Sequence, residues 1–311
     1  MDIVVIMDGP ETVDAASDTS FALIVAARER GHSVWHCGAG DVELVGGIVR
    51  ARARPASTDE AASPPLLLGS RESLDLTQVD AVFVRTDPPF DSAYLHLTLV
   101  LDHLAAETLV VNSPRGLRDA NEKLYSCRFP DVTPATIVSS DLERLLGFSR
   151  EHGAAVLKPI DGHGGRGVMA LRPDDHNSAS IVDTLTERGR VPVLAQRFLE
   201  NVTEGDKRIL LLDGEPLGAI LRVPTRDDFR ANICVGGTTV ATEIDDADRR
   251  IIERIAPSLR ADGLHFVGLD VVDGLLTEVN VTSPTGIRQL ARLTGTRPDL
   301  DVIRWLERRV G

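Results

Sequence analysis

Cysteine is scarce: Cys37, Cys127 and Cys234 are the three in 311 residues, and no two share a short spacing. An odd count with no paired motif excludes a disulfide framework and a cysteine-built zinc site. Aromatic residues make up only 4% of the chain, too few for platforms that stack single-stranded nucleic acid. Positive charge is also short, with 34 Lys and Arg against 47 Asp and Glu and a net charge of −13. Nucleic-acid binding and docking on anionic lipid both need a basic footprint, so neither is expected. Any polyanionic ligand must be held by a local cluster of Lys and Arg or through a metal ion. Apolar runs are short, none reaching the roughly 18 residues that span a bilayer. The start, MDIVVIMDGPETVD, lacks the apolar core of a secretory signal. The expectation is a cytoplasmic protein with no membrane and no nucleic-acid partner.

Signatures of covalent catalysis are missing as well. The eight histidines and three cysteines form no G-x-S-x-G, H-E-x-x-H or Cys-His pattern, and no Walker G-x-x-x-x-G-K-[ST] occurs. Chemistry here must come from positioning and charge neutralisation, as in phosphoryl transfer.

What is present is an ordinary globular composition, 42% apolar with 26 Gly and 17 Pro, long enough for about two domains at roughly 100–200 residues each. The first 120 residues alternate strand and helix patterns. Strands are expected at Ile3–Met7, Ser33–Cys37, Ala81–Arg85 and Thr108–Val111. Helices are expected at Thr19–Arg30, capped by Asp18 and stopped by Gly31, and from about Ser92 to Ala106. This spacing predicts an open, mostly parallel α/β sheet. Residues 51–75, rich in Ala, Ser and Pro, read as an irregular surface excursion. Beyond residue 120 the pattern becomes α+β. Helices are expected at Leu142–His152 and Asp245–Arg260, and a strand at Ala155–Lys158. Hairpins are expected around Asp213-Gly214 and Asp273-Gly274.

Three features carry chemistry. In LKPIDGHGGRGVMAL (157–171), Gly162, Gly164 and Gly167 satisfy G-x-G-x-x-G, but they run into a strand and not into the helix a dinucleotide fold requires. A glycine loop between strands suits either a flap closing over phosphates, with Lys158 aimed at them, or a bare hairpin. In GLDVVDGLLTEVNVTSP (268–284), Glu278 and Asn280 lie two apart and share a strand face. Asp270 joins them if the turn at Asp273-Gly274 has an odd number of loop residues, whereas a two-residue loop sends it to the other face. Together they are hard oxygen ligands of the kind Mg²⁺ uses beside phosphates. Arg85, Arg208, Arg222 and Arg288 stand at strand ends or beside Pro and Gly turns, where they can converge on carboxylate and phosphate.

The strings DTSFA (18–22), RTDPPFD (85–91), LRDANEKL (117–124), LKPIDGHGG (157–165), GDKRILLLDGEP (205–216), FVGLDV (266–271) and TEVNVTSPTGIR (277–288) occur in order. With them the chain resembles the bacterial glutathione synthetases from Ile3 to about Arg288. The resemblance implies an ATP-grasp fold: an N-terminal α/β domain (1–122), a central lobe with the glycine flap (123–198) and a C-terminal lobe with the metal site (199–311). It implies an ATP-dependent ligase that joins γ-glutamylcysteine and glycine through an acyl phosphate. Lys123, Lys158, Gly164, Gly165 and Asp206 would bind ATP, and Gln196, Arg197, Phe198 and Leu199 would form the hinge that holds adenine. Asp270, Glu278 and Asn280 would hold Mg²⁺, with Mn²⁺ as the alternative. Arg208 and Arg222 would neutralise the transferred phosphoryl group, and Ser20, Arg85, Ser283 and Arg288 would bind peptide and glycine. Val223 to Thr238 matches the family's mobile active-site loop, with Gly236-Gly237 as a hinge, and a homo-oligomer is implied. A paralogue ligating another amine or γ-glutamyl peptide is the alternative, and a silent nucleotide binder a second. Arg166, inside the flap, adds a charge that the resemblance leaves unassigned.

Overall fold

Eight strands form the N-terminal sheet: β1 (Asp2–Ile6), β2 (Ser33–Cys37), β3 (Val42–Val45), β4 (Ile48–Thr58), β5 (Leu66–Leu68), β6 (Glu72–Asp75), β7 (Ala81–Val84) and β8 (Leu109–Val111). This computed structural model describes residues 1–104, 108–224 and 238–311. Strands β2, β1, β7 and β8 lie side by side and parallel, as the alternating pattern predicts. Helix α1 (Thr19–Glu29) begins at Asp18, whose side chain accepts from Phe21 N at 2.7 Å. Helix α2 (Ser92–Leu101) is capped by Asp91 in the same way and stops short of Ala106, which lies outside the described residues. Helix α3 (Pro114–Asp119) leads to the central lobe.

Residues 51–75 are not the irregular excursion expected. They hold most of β4, an eleven-residue strand, with β5 and β6 paired antiparallel to it. The buried face of β4 is made by Val49, Ala51 and Ala53, while Arg50, Arg52 and Arg54 keep solvent contact. The period of two is genuine, but alanine is its apolar member, so it reads as loop composition.

The central lobe is a four-stranded antiparallel sheet of β9 (Thr136–Ser139), β10 (Ala155–Pro159), β11 (Met169–Leu171) and β12 (Val193–Arg197), covered by α4 (Leu142–His152) and α5 (Ser178–Leu185). The C-terminal sheet runs β15-β14-β13-β16-β17, with β13 (Asp206–Leu212), β14 (Glu215–Val223), β15 (Thr238–Ala241), β16 (Phe266–Val272) and β17 (Leu275–Asn280). Both Asp-Gly hairpins form with two-residue loops. Asp213 and Gly214 have φ of 54° and 77°, and Asp273 and Gly274 have 53° and 66°, the paired positive values of a type I′ turn. Helices α6 (Asp246–Ala261), α7 (Ile287–Thr294) and α8 (Pro298–Val310) complete the lobe, α6 starting in a capping box of Asp245 and Asp248. Apart from its ends, the expected active-site loop from Val223 to Thr238 lies outside the described residues, together with Gly236-Gly237 and Cys234. Cys37 and Cys127 are free thiols.

Packing divides the molecule unevenly. Residues of the N-terminal and C-terminal sheets mix in two continuous apolar clusters, which hold Val4 with Ile209 and Phe21 with Phe266. Asn112 ties the two sheets: its Nδ2 donates to Phe266 O and Val281 O and its Oδ1 accepts from Phe266 N, each at 2.8 Å. The central lobe has a separate core of Leu145, Ala155, Leu157, Leu171, Val182, Val193 and Ala195. A cleft opens between that lobe and one face of the C-terminal sheet.

Candidate active site

Strand register places the charges of the C-terminal sheet on one face. In the antiparallel ladder Arg208 of β13 stands opposite Asp270 of β16, and Asp206 opposite Arg222 of β14. Arg208 holds Asp270 in a fork, Nε to Oδ1 at 2.6 Å and Nη2 to Oδ2 at 3.2 Å. Arg222 bridges both acids, with Nη2 at 2.9 Å from Asp270 Oδ2 and 2.5 Å from Asp206 Oδ2. Gly268 makes this possible, because a Cβ there would sit 3.0 Å from Arg208 Cδ; the arginine lies flat across a residue with no side chain. Arg208, Arg222 and Asp270 are buried. Burial works to raise the Asp270 carboxyl, but the two arginines hold it well below the usual carboxylate range. Asp206 has burial as its leading influence and is pushed up to about 6 against the pull of Arg222. Its Oδ1 and Arg222 Nε are buried without a partner among the described residues, a state native proteins keep for groups awaiting a ligand or water.

Glu278 and Asn280 of β17 lie on the same face, opposite Asp270 and Gly268 respectively. An odd loop count does not bring this about, since the hairpin loop has two residues. A bulge between Asp270 and Val271 absorbs Thr277, whose Oγ1 donates to Asp270 O at 3.0 Å. Asn280 Nδ2 donates to Gly268 O at 3.3 Å, leaving its amide oxygen available.

Two lysines meet this face, Lys158 from the central sheet and Lys123 from the segment that follows α3. Lys123 is buried, pairs with Glu278 Oε1 at 3.2 Å and donates to Gly162 O. Lys158 on β10 donates to Gln196 Oε1 at 3.0 Å and to Thr277 O at 3.5 Å. Burial pulls its ammonium below the ordinary lysine value, with Glu278 opposing. Gln196, Arg197, Phe198 and Leu199 follow from β12 into the lobe junction and line the same cleft. The glycine loop spans β10 and β11, a strand–loop–strand unit as its context predicts. Gly164, Gly165 and Gly167 have φ of 59°, 75° and 70°, which only glycine adopts without strain. The cleft is open to solvent at its mouth. Lys123, Lys158, Gly164, Gly165, Gln196 to Leu199, Asp206, Asp270 and Glu278 all line it.

The expected peptide ligands form a second cluster, on the N-terminal side. Arg85 is buried; its Nε donates to Ser20 Oγ and its Nη2 to Pro284 O, each at 3.0 Å, and Ser283 Oγ donates to Arg85 O at 3.4 Å. Arg85 Nη1 is buried with no partner among the described residues. Arg288 does not join this hydrogen-bonded cluster. It pairs with Glu60 at 2.8 Å and lies 5.3 Å above the Phe21 ring.

Sequence reasoning missed Glu122. Its half-buried carboxylate accepts from Val281 N, Thr282 N and Thr282 Oγ1 at 2.8–3.1 Å, clamping the segment between the metal-type face and Ser283. Burial, and then Glu278, raise its carboxyl, and those hydrogen bonds oppose the shift. Its one available signal was adjacency to Lys123 in LRDANEKL. Asn121 was missed too; Nδ2 donates to Ile160 O at 3.2 Å, holding the base of the flap.

Residues 1–118 match the prokaryotic glutathione synthetase N-terminal domain, and residues 122–295 match the prokaryotic glutathione synthetase ATP-grasp domain. The chain is 45% identical over 316 residues to a glutathione synthetase of Thermosynechococcus vestitus, covering 98% of this chain and 99% of that protein. It is 42% identical over 303 residues to one of Rhodopseudomonas palustris, covering 97% and 96%. Among solved structures, D-cycloserine synthetase DcsG superposes with a TM-score of 0.69 at 18% identity, covering 100% of both chains. The ATP-grasp ligase PsnB, complexed with minimal precursor, Mg and ADP, superposes with a TM-score of 0.63 at 16% identity, covering 99% of this chain and 98% of that one. At such identities the likeness is one of fold.

Proposed function

The chain belongs to the prokaryotic glutathione synthetase family and is an ATP-dependent ligase, and on that premise we propose how its cleft joins γ-glutamylcysteine to glycine. Both family domains matching in order over residues 1–295 carry this reading. ATP lies in the cleft with its base against Gln196 to Leu199 and its phosphates toward Lys123 and Lys158. A cysteinyl carboxylate oxygen attacks the terminal phosphorus, and the bond to the bridging oxygen of ADP breaks. The glycine amine then attacks the acyl phosphate carbon, losing a proton, and inorganic phosphate leaves.

Asp270, Glu278 and Asn280 suit Mg²⁺, or Mn²⁺, because they offer three hard oxygens on one face beside two lysines. When bound, the ion would draw negative charge off the phosphates it touches. The chain's own groups do the rest. Lys123 and Lys158 neutralise phosphate oxygens. Arg208 and Arg222 are pinned by Asp270 and Asp206 before substrate arrives, so little reorganisation is needed when charge builds on the moving phosphoryl group. Ser20, Arg85 and Ser283 hold the peptide, with the unpartnered Nη1 of Arg85 available to a carboxylate. Arg288 takes part once its pair with Glu60 opens. The glycine flap excludes water, which would hydrolyse the acyl phosphate.

The proposed units are 1–122, 123–198 and 199–311, and the separate core of the central sheet supports that lobe's moving as a body. A cytoplasmic homo-oligomer acting on small molecules completes the proposal; among the described residues no helix is long and apolar enough to cross a membrane. Phosphate release from ATP with Mg²⁺ tests the substrates, omitting or exchanging γ-glutamylcysteine and glycine in turn. Turnover that needs both, with glutathione identified by mass, is the expected result. Turnover that needs a different amine or peptide would reassign the acceptor.

A further inference from the structure

Arg166 is the flap cation that neither the resemblance nor the mechanism above uses. Of the Lys and Arg side chains that line the cleft, Lys123 pairs with Glu278, while Lys158 on β10 and Arg197 at the hinge have no carboxylate partner among the described residues and are already given roles above. Arg208 and Arg222 on the sheet beside it share Asp270 and Asp206. Arg166 lines the same cleft, and no carboxylate among the described residues pairs with it. Its position is set by the loop. Gly165 and Gly167, both at positive φ, flank it, and its backbone N donates to His163 O at 3.1 Å. The turn folds back on β10, since a Cβ at Gly167 would lie 2.8 Å from Pro159 Cγ. The start of the flap is fixed as well, because Lys123, which pairs with Glu278, donates to Gly162 O. The flap therefore hangs from the end of the cleft where Glu278 and Asp270 stand, away from the Gln196–Leu199 hinge.

We propose that Arg166 is a catalytic residue that grips the terminal phosphoryl group of ATP from the flap side, opposite Lys158. This rests on the nucleotide placement proposed above. A guanidinium presents a planar fork of donors that matches two phosphate oxygens, and an arginine brought onto a phosphoryl group in flight strengthens as charge develops there. Arg208 and Arg222 reach that group from the sheet with their charge already shared by carboxylates, whereas Arg166 adds a whole one. It makes flap closure report the presence of the third phosphate.

The test compares Arg166→Ala and Arg166→Lys with the wild type by calorimetric titration of ADP and of a non-hydrolysable ATP analogue, and by steady-state ligation. Arg166 is exposed, so both variants should keep the wild-type melting temperature. The expected result for Arg166→Ala is about a 10-fold weaker grip on the analogue with ADP affinity within about 2-fold, and kcat lower by about 10- to 1,000-fold. Arg166→Lys should recover part of both losses. Equal losses for ADP and the analogue, or no loss, would overturn the assignment. The two readings fail separately. A wild type that binds nucleotide but makes no glutathione, with the ADP–analogue difference intact, rejects the substrates and keeps Arg166. A wild type that makes glutathione alongside an unimpaired Arg166→Ala variant rejects Arg166 alone.

Discussion

Asp270 and Glu278 face each other across β16 and β17 although the hairpin joining those strands has a two-residue loop; Thr277 bulges from the ladder and restores the pairing. The two carboxylates then stand on one face with Arg208 and Lys123 as their respective partners. Glu278→Gln keeps the shape of this pair and removes one charge. Ligation should fall by at least about 100-fold, with the melting temperature unchanged within about 3 °C. Steady-state phosphate release and a thermal melt check this; near-normal turnover would remove Glu278 from the site.

Gly268→Ala probes the arginine fork from underneath. The new methyl would sit 3.0 Å from Arg208 Cδ and 3.3 Å from its Nε, so the arginine must shift by a few tenths of an ångström and its fork on Asp270 is disturbed. Turnover should drop by about 10- to 100-fold while ADP affinity changes by less than about 3-fold, because the perturbed group serves the moving phosphoryl group. Calorimetry with ADP and a kcat measurement separate the two effects.

Arg85→Ala should raise the KM for γ-glutamylcysteine by about 10-fold or more and that for ATP by less than about 2-fold. The reason is spatial: Arg85 touches Ser20 and Pro284 and lies outside the cleft lined by the lysines. Equal increases in both constants would contradict its substrate role.

Asp213 links the β13–β14 hairpin to α8, accepting from Arg309 at 2.7 Å, Trp305 at 3.4 Å and sharing a proton contact with His265 at 3.0 Å. Burial works to raise its carboxyl, but Arg309, His265 and Trp305 together hold it below its ordinary value. A carboxyl lowered on folding adds stability above its unfolded pKa of 3.8, and that stability is lost as pH falls through the lower folded value. Asp213→Asn should therefore cost about 1 kcal/mol at pH 7 for this partly exposed site. Urea unfolding at pH 7 and pH 3 should show the gap from wild type narrowing in acid; a constant gap would point to packing in place of charge.

Much of this arrangement is legible from the chain, and what is not has a common cause. Asp213-Gly214 and Asp273-Gly274 announce their turns because the residues that form a type I′ turn are its local chemistry. Lys158 and the glycine loop are readable for the same reason, as a strand, a turn and a strand in one stretch. The bulge at Thr277 is not, since it depends on which residues of β16 it meets. Strand β4 was hidden by alanines playing the apolar part. Glu122 with Thr282 and Arg288 with Glu60 join residues 160 and 228 positions apart, and no local pattern records such pairs. The resemblance groups Arg288 with Ser20, Arg85 and Ser283, and its pairing with Glu60 is visible only in the fold.

The most direct test follows the oxygen atoms. γ-Glutamylcysteine carrying ¹⁸O in both positions of its cysteinyl carboxylate is ligated to glycine with ATP, and the released phosphate and tripeptide are weighed. An acyl phosphate formed in the cleft sends one ¹⁸O into phosphate and leaves one in the new amide carbonyl. Phosphate free of label, with turnover intact, would contradict activation of the carboxylate by the terminal phosphoryl group.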